Sequence, residues 1–257
     1  MSDEGEYHES LITLLELIWG RDFMSPGGEG NVKKLVADLE LRDKNVLDIG
    51  SGLGGPAFVL ARKYGAKVTG IDIEAQLVSH SNRRAIELGL QDRVEFKCVT
   101  PGSLDFPDGT FDAIVSSGAF TQVSNKLDMY RECLRILRPG GIFSCYDWMK
   151  SGGEYSEDMH YWFKMEGLTY AMETPKLHEE ILVEAGFVNV SITDASSWYR
   201  EKAREEYELL RNDLYSKATA LLGKEGADYF VENWRAMVVV CDKGEMLQVY
   251  CRATKPF

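Results

Sequence analysis

The sequence predicts an α/β fold, a doubly wound parallel sheet with a helical lid, and three observations carry that expectation. Short apolar runs alternate with helical segments from Val46 to about residue 150, a glycine-rich turn ends the first run, and the flanking stretches 8–19 and 151–186 read as mostly helical. Residues 8–19, "HESLITLLELIW", set Leu11, Leu14, Leu15 and Ile18 on one helical face, and "GRDFMSPGGEG" then breaks the pattern before a second helix at about 31–40. "NVLDIG" reads as a strand, "GPAFVLARKYG" as a helix ending at Gly65, "KVTGIDI" as a strand and "EAQLVSHSNRRAIELGL" as a helix. "VEFKCV" and "FDAIVSSG" are two further strands, and "KLDMYRECLRIL" is a helix stopped by "RPGG" ahead of the strand "IFSCYDW". Beyond the helical insertion, "FVNVSITDA" reads as a strand and "EKAREEYELLRNDLYSKATALL" as one long amphipathic helix. "AMVVVCDKGEMLQVYCRATK" reads as a hairpin turned at "DKGE".

These elements divide the chain into four parts. Residues 1–45 form an N-terminal helical cap, 46–150 a ligand-binding core, 151–186 a helical insertion at an acceptor site, and 187–257 the strands and helix that complete the sheet. Hydrophobic content of 44% and charged content of 27% are those of an ordinary globular chain, and no apolar run approaches the roughly 20 residues of a membrane helix. The acidic start "MSDEGEYHES" has no signal character, so the expected location is cytoplasmic, as a monomer or homodimer. A net charge of -12 disfavours polyanions, which leaves neither nucleic acid nor membrane as an expected partner. The five cysteines lack a CxxC pair and read as buried, reduced thiols, with no metal expected. His8, His80 and His160 read as solvated surface residues, and "REKAREEYELLR" as a solvated helix face.

The segment "VLDIGSGLGGP" puts glycines at 50, 52, 54 and 55, with Asp48 two residues before the first. Dinucleotide folds use GxGxxG and aim a helix N-terminus at a pyrophosphate. The spacing here differs, and Asp48 would repel phosphate while welcoming an ammonium group. Asp72, at the end of "GIDI", suits a pair of ribose hydroxyls. A phosphate-free, cationic nucleoside ligand fits both acids, and S-adenosylmethionine is such a molecule.

On these motifs the chain resembles the class I S-adenosylmethionine-dependent methyltransferases, with their Rossmann-like sheet. Within them it is most similar to the phosphoethanolamine N-methyltransferases and more distantly to the glycine and sarcosine N-methyltransferases. The segments "LIWGRDFMSPGG", "VLDIGSGLGG", "GIDI", an adjacent Asp147 and Tyr146, "AGFVNV" and "ATK" carry the likeness in order. The resemblance implies an enzyme that binds S-adenosylmethionine, releases S-adenosylhomocysteine and methylates a small molecule. It implies a cofactor site of Met24, Ser25, Asp48, Gly50, Gly52, Gly54, Asp72, Ile73, Gln76, Thr100, Pro101 and Ser117. Tyr7, Gln122 and Tyr146 would line the transfer site.

The chain departs from that family where the acceptor is held. Gly118 and Gln122 stand where the family has an aspartate and a histidine, and a neutral amide is no general base near pH 7. Leu168 falls at the phosphate-binding arginine, and Ala236 or Met237 near the lysine. A dianionic phosphate without those cations is poorly compensated for its desolvation. Tyr146, Trp162, Tyr170, His178 and Arg235 are the candidate acceptor-binding residues, with Trp162, Phe163, Tyr170 and Met172 readable either as a cage for a methylammonium or as the lid's own core. Thr100 and Pro101 replace the acid that usually takes the adenine amino group. The expectation is methylation of an amine other than phosphoethanolamine, with O-, S- or C-methylation, or cofactor binding without catalysis, as alternatives.

Overall fold

The computed structural model describes residues 9–100, 102, 104–168 and 170–257. One sheet holds seven strands: β1 (Asn45–Ile49), β2 (Lys67–Asp72), β3 (Val94–Cys98), β4 (Phe111–Ser117), β5 (Leu137–Lys150), β6 (Val188–Asp194) and β7 (Met246–Thr254). Their order is β3-β2-β1-β4-β5-β7-β6, with β1 to β5 parallel and β7 antiparallel to both neighbours. The order reverses between β1 and β4, and in such a sheet the carboxyl ends of the strands at that switch point form the ligand crevice.

Strand pleating sends alternate residues to opposite faces, and both faces are covered. Val46 joins a core built with α2 (Gly28–Leu35), α3 (Gly55–Tyr64) and α4 (Ala75–Glu87). Leu47 and Ile49 join a second core with α5 (Lys126–Ile136) and α7 (Pro175–Ala185). Each wholly buried apolar side chain, such as Leu60 or Phe143, contributes roughly 2–3 kcal/mol.

A third cluster forms the lid from α1 (Glu9–Trp19), α6 (Glu157–Glu166), α8 (Ser196–Arg211) and α9 (Tyr215–Asp242), and Trp148 near the end of β5 packs against it. The expected insertion 151–186 is therefore divided. Its first helix packs in the lid beside α9, while α7 is the crossover that packs on α5 and β6. Ser156 and Thr174 cap these two helices by accepting from Met159 and Leu177 amides, contacts worth about 1 kcal/mol each.

Two expectations fail in the C-terminal third. The long helix from residue 201 breaks at 212–214 into α8 and α9, and Ala236–Cys241 is helix, not the first strand of a hairpin. The valine run suggested a strand, but Trp234, Met237, Val240 and Cys241 recur at helical spacing and bury one stripe in the lid core. Among the described residues, no helix is long and apolar enough to cross a membrane.

Candidate active site

The glycine turn sits between β1 and α3 at the strand carboxyl ends. Gly50 and Ser51 amides both donate to the Ile71 carbonyl, and the Gly52 amide donates to Asp72 Oδ2 at 2.9 Å. Asp72 also accepts the Glu74 amide on Oδ1, so its carboxylate is held from both sides. Gly52 has φ +50°, and a Cβ there would lie 3.1 Å from Met24 Sδ, so glycine suits both the left-handed backbone and the close approach of the N-terminal segment. Gly54 answers a different demand, since a Cβ there would strike Phe96 and Phe58 in the core.

Asp48 is 1% exposed, and among the described residues no cation pairs with its carboxylate. Burial, then the neighbouring Asp72, push its carboxyl up to about 7, against a lowering by the Ala57 amide at the start of α3. Ser51 Oγ beside it is also buried without a partner. A buried acid with no counter-charge is costly unless a ligand supplies one.

The segment bearing Met24 and Ser25 is fixed over this turn by contacts the sequence did not disclose. Arg84 Nε donates to Asp22 Oδ1 at 2.7 Å in a largely shielded pair, and the Gly55 amide donates to the Asp22 carbonyl at 2.8 Å. Tyr146 is buried on the same side of the sheet, its hydroxyl donating to the Pro26 carbonyl at 3.3 Å. The structure thus puts Tyr146 beneath the Met24–Ser25 segment as its support. Ile73 is 54% exposed at the end of β2, Gln76 half-buried on the first turn of α4, and Thr100 exposed. Ser117 is half-buried at the end of β4. Tyr7 and Pro101 lie outside the described residues.

Gln122 is exposed at the end of the short 3-10 turn Phe120–Gln122, which follows β4. Asp147 fixes that turn: its Oδ2 accepts the Thr121 amide at 3.1 Å, and Oδ1 accepts the Trp148 amide at 2.8 Å. Burial raises the Asp147 carboxyl to about 7. The Thr121 carbonyl accepts the Ala171 amide at 2.7 Å, tying the lid segment beside Tyr170 to the same turn.

The four remaining acceptor candidates do not converge. Trp162 is wholly buried and stacks on Tyr170 at 5.2 Å and 13°, too close for a cation between the rings, so this pair serves as lid core. Arg235 is exposed and held by two hydrogen bonds to Glu232. His178 lies on the opposite side of the sheet, wholly buried, its Nδ1 2.5 Å from Glu173 Oε1. There Cys145, His178 and Cys251 bring one ligand-type atom each within 4.8 Å of one another. Burial alone would lower the His178 imidazole, but hydrogen bonds to Cys251 and Glu173 raise it to about 9. Of the five thiols, Cys98 is exposed and the other four are buried, as the composition suggested for most of them.

The sequence reading missed two lid carboxylates. Glu206 is 3% exposed, and its Oε2 accepts the Trp234 indole N–H at 3.3 Å while Oε1 has no partner. Glu166, at the end of α6, faces Asn233, Tyr170 and Trp162. Burial pushes each acid up to about 7.

Comparison with known proteins agrees with this geometry. A model described as a methyltransferase domain matches residues 46–141. A phosphoethanolamine N-methyltransferase of Plasmodium falciparum is 30% identical over 216 residues, which cover 82% of this chain and 79% of that one. The chain belongs to the class I S-adenosylmethionine-dependent methyltransferases. Phosphoethanolamine N-methyltransferase 1 of Zea mays is 29% identical over 98% of this methyltransferase chain, but the chain spans only 50% of that relative's length. A solved Haemonchus contortus enzyme, phosphoethanolamine N-methyltransferase 2 with phosphomonomethylethanolamine and S-adenosylhomocysteine, superposes with a TM-score of 0.91. That likeness covers 99% of this chain and 60% of the other at 22% identity, which bears on the fold. The residues present fit the family's cofactor, because the orphaned, buried Asp48 carboxylate needs a cation that S-adenosylmethionine carries as its ammonium group.

Proposed function

We propose that this methyltransferase transfers a methyl group to nitrogen on a small-molecule acceptor that is not phosphoethanolamine. The observation that carries the reading is the pairing of an orphaned, buried Asp48 with a doubly anchored Asp72 across the glycine turn. When bound, S-adenosylmethionine supplies an electrophilic methyl group on a sulfonium. Asp48 would hold its ammonium, Gly50 and Gly52 would admit close backbone approach, and Asp72 would accept the ribose hydroxyls. Met24 and Ser25 would close the site from above, and Thr100 and Ser117 would border the nucleoside.

The chain's own groups then need to orient a neutral nucleophile in line with the methyl carbon and exclude water, since positioning supplies most of the advantage in such a transfer. Gln122, on a turn anchored by Asp147, would orient that nucleophile, since its amide donates and accepts without taking a proton. An amine that reaches the site already neutral needs no base there. Phosphoethanolamine is disfavoured because the acceptor side offers Leu168 and Ala236 where cations would be needed, with Glu166 and Glu206 in the same lid core. The test is a labelled-methyl screen against amines, phenols, thiols and phosphoethanolamine. Amine turnover without phosphoethanolamine turnover supports the reading, and efficient phosphoethanolamine turnover contradicts it.

A further inference from the structure

The lid core encloses two carboxylates that no protein cation neutralises. Among the described residues neither Glu166 nor Glu206 makes an ion pair, and Lys202, whose charge reaches Glu206, is turned to Glu205 at 2.5 Å. The polar groups that face them are neutral. Glu206 faces the indole N–H groups of Trp234 and Trp19, Glu166 faces Asn233, Tyr170 and Trp162, and Asn233 Oδ1 is buried without a partner. Trp19 and Trp234 stand beside Glu206 with ring centroids 5.6 Å apart, offering two π faces next to an anion. Tyr199 is buried where the charges of both carboxylates reach it. Such a set of buried carboxyl groups and aromatic rings, lacking a protein cation, has the chemistry of an ammonium site.

The cluster also joins the methyl-transfer site. Trp19 directly precedes the 20–27 segment, Met24 packs on the lid core and meets Gly52, and Tyr170 precedes Ala171, which is bonded to Thr121 on the Gln122 turn. Building on the methyl-transfer reading above, we propose that the acceptor is a short aliphatic diamine. One nitrogen is held as an ammonium by Glu206 and Glu166, and the other is presented for methylation. A monoamine cannot do both, because a nitrogen bound as ammonium has no lone pair. The held charge also lowers the proton affinity of the second nitrogen, which keeps that nitrogen neutral and nucleophilic. In the transfer, the free nitrogen's lone pair forms the N–CH3 bond, the S–CH3 bond breaks with its electron pair left on sulfur, and the methylated nitrogen releases one proton to water. A phosphate in the same place would face two carboxylates and is rejected.

Calorimetry on the intact protein tests this without turnover, using 1,3-diaminopropane and 1,4-diaminobutane against propylamine and phosphoethanolamine, each with S-adenosylhomocysteine present. Diamines should bind at least tenfold more tightly than propylamine, phosphoethanolamine should give no heat, and Glu206→Gln should remove the diamine preference. Equal binding of mono- and diamine by the native protein, or phosphoethanolamine as the tightest ligand, overturns the proposal whatever the variant does. S-adenosylhomocysteine binding with no diamine heat defeats the diamine proposal alone, whereas failure to bind S-adenosylhomocysteine defeats the methyltransferase reading itself.

Discussion

The Gly52 amide donates to Asp72 Oδ2 at 2.9 Å, so the turn after the first strand and the acid ending the second are one hydrogen-bonded unit. With Oδ1 taking the Glu74 amide, the carboxylate is immobilised before any ligand arrives. Asp72→Asn replaces one charge-assisted acceptor by an amide nitrogen and should weaken S-adenosylmethionine binding at least tenfold. It should also cost about 1–2 kcal/mol of stability. Calorimetry and chemical denaturation measure the two effects; unchanged affinity would remove Asp72 from the cofactor site.

Lys126 Nζ meets Glu173 Oε2 at 2.8 Å with both side chains almost fully buried, and it also donates to the Val123 and Ala171 carbonyls. Removing Lys126 leaves buried Glu173, among the described residues, with His178 alone as a counter-charge and takes the donor from the Val123 and Ala171 carbonyls. Lys126→Met should therefore destabilise the fold by about 3–5 kcal/mol. A loss below 1 kcal/mol in urea denaturation would show that the pair is not buried as described.

Glu206 titrates near 7 in the fold and near 4.5 when unfolded, so the unfolded chain releases this proton first. Its contribution to stability is therefore greatest below pH 4.5, falls as pH rises to about 7, and is flat above that. Glu206→Gln should flatten that part of the ligand-free pH profile and raise stability at pH 8 by roughly 2–3 kcal/mol. Melting curves from pH 5 to 8 decide it, and a variant less stable than the native protein at pH 8 would contradict the assignment.

Gln122 is exposed on a turn held through the Thr121 backbone, so its side chain is not needed for folding. Gln122→Ala should leave the melting temperature unchanged and lower turnover of the acceptor about tenfold, about 1.4 kcal/mol of transition-state positioning. Unaltered kinetics would place Gln122 outside the transfer site.

Local signals made much of this legible. The strand and helix periods of the core, the glycine turn and both acids appear in short windows, where spacing reports directly on backbone conformation. What escaped was non-local or locally ambiguous. Arg84 and Asp22 lie 62 residues apart, and Glu206 and Trp234 lie 28 apart on separate helices, so nothing near either residue announces its partner. The run around Val238–Val240 favours a strand by composition, and only burial against the lid makes it helix. His178 is drawn into the core by Glu173, a pairing that its own neighbours in sequence do not reveal as structural.

The central claim is that Asp48 receives the ammonium of the methyl donor. Free Asp48 holds its proton up to about pH 7, so binding a cation there must expel it. Calorimetry of S-adenosylmethionine at pH 6.5 in buffers of different ionisation enthalpy should record a net release of protons. Asp48→Asn should abolish that release and weaken binding about 30-fold, about 2 kcal/mol. Binding of equal strength in Asp48→Asn, or no heat from the native protein at millimolar S-adenosylmethionine, would contradict the account.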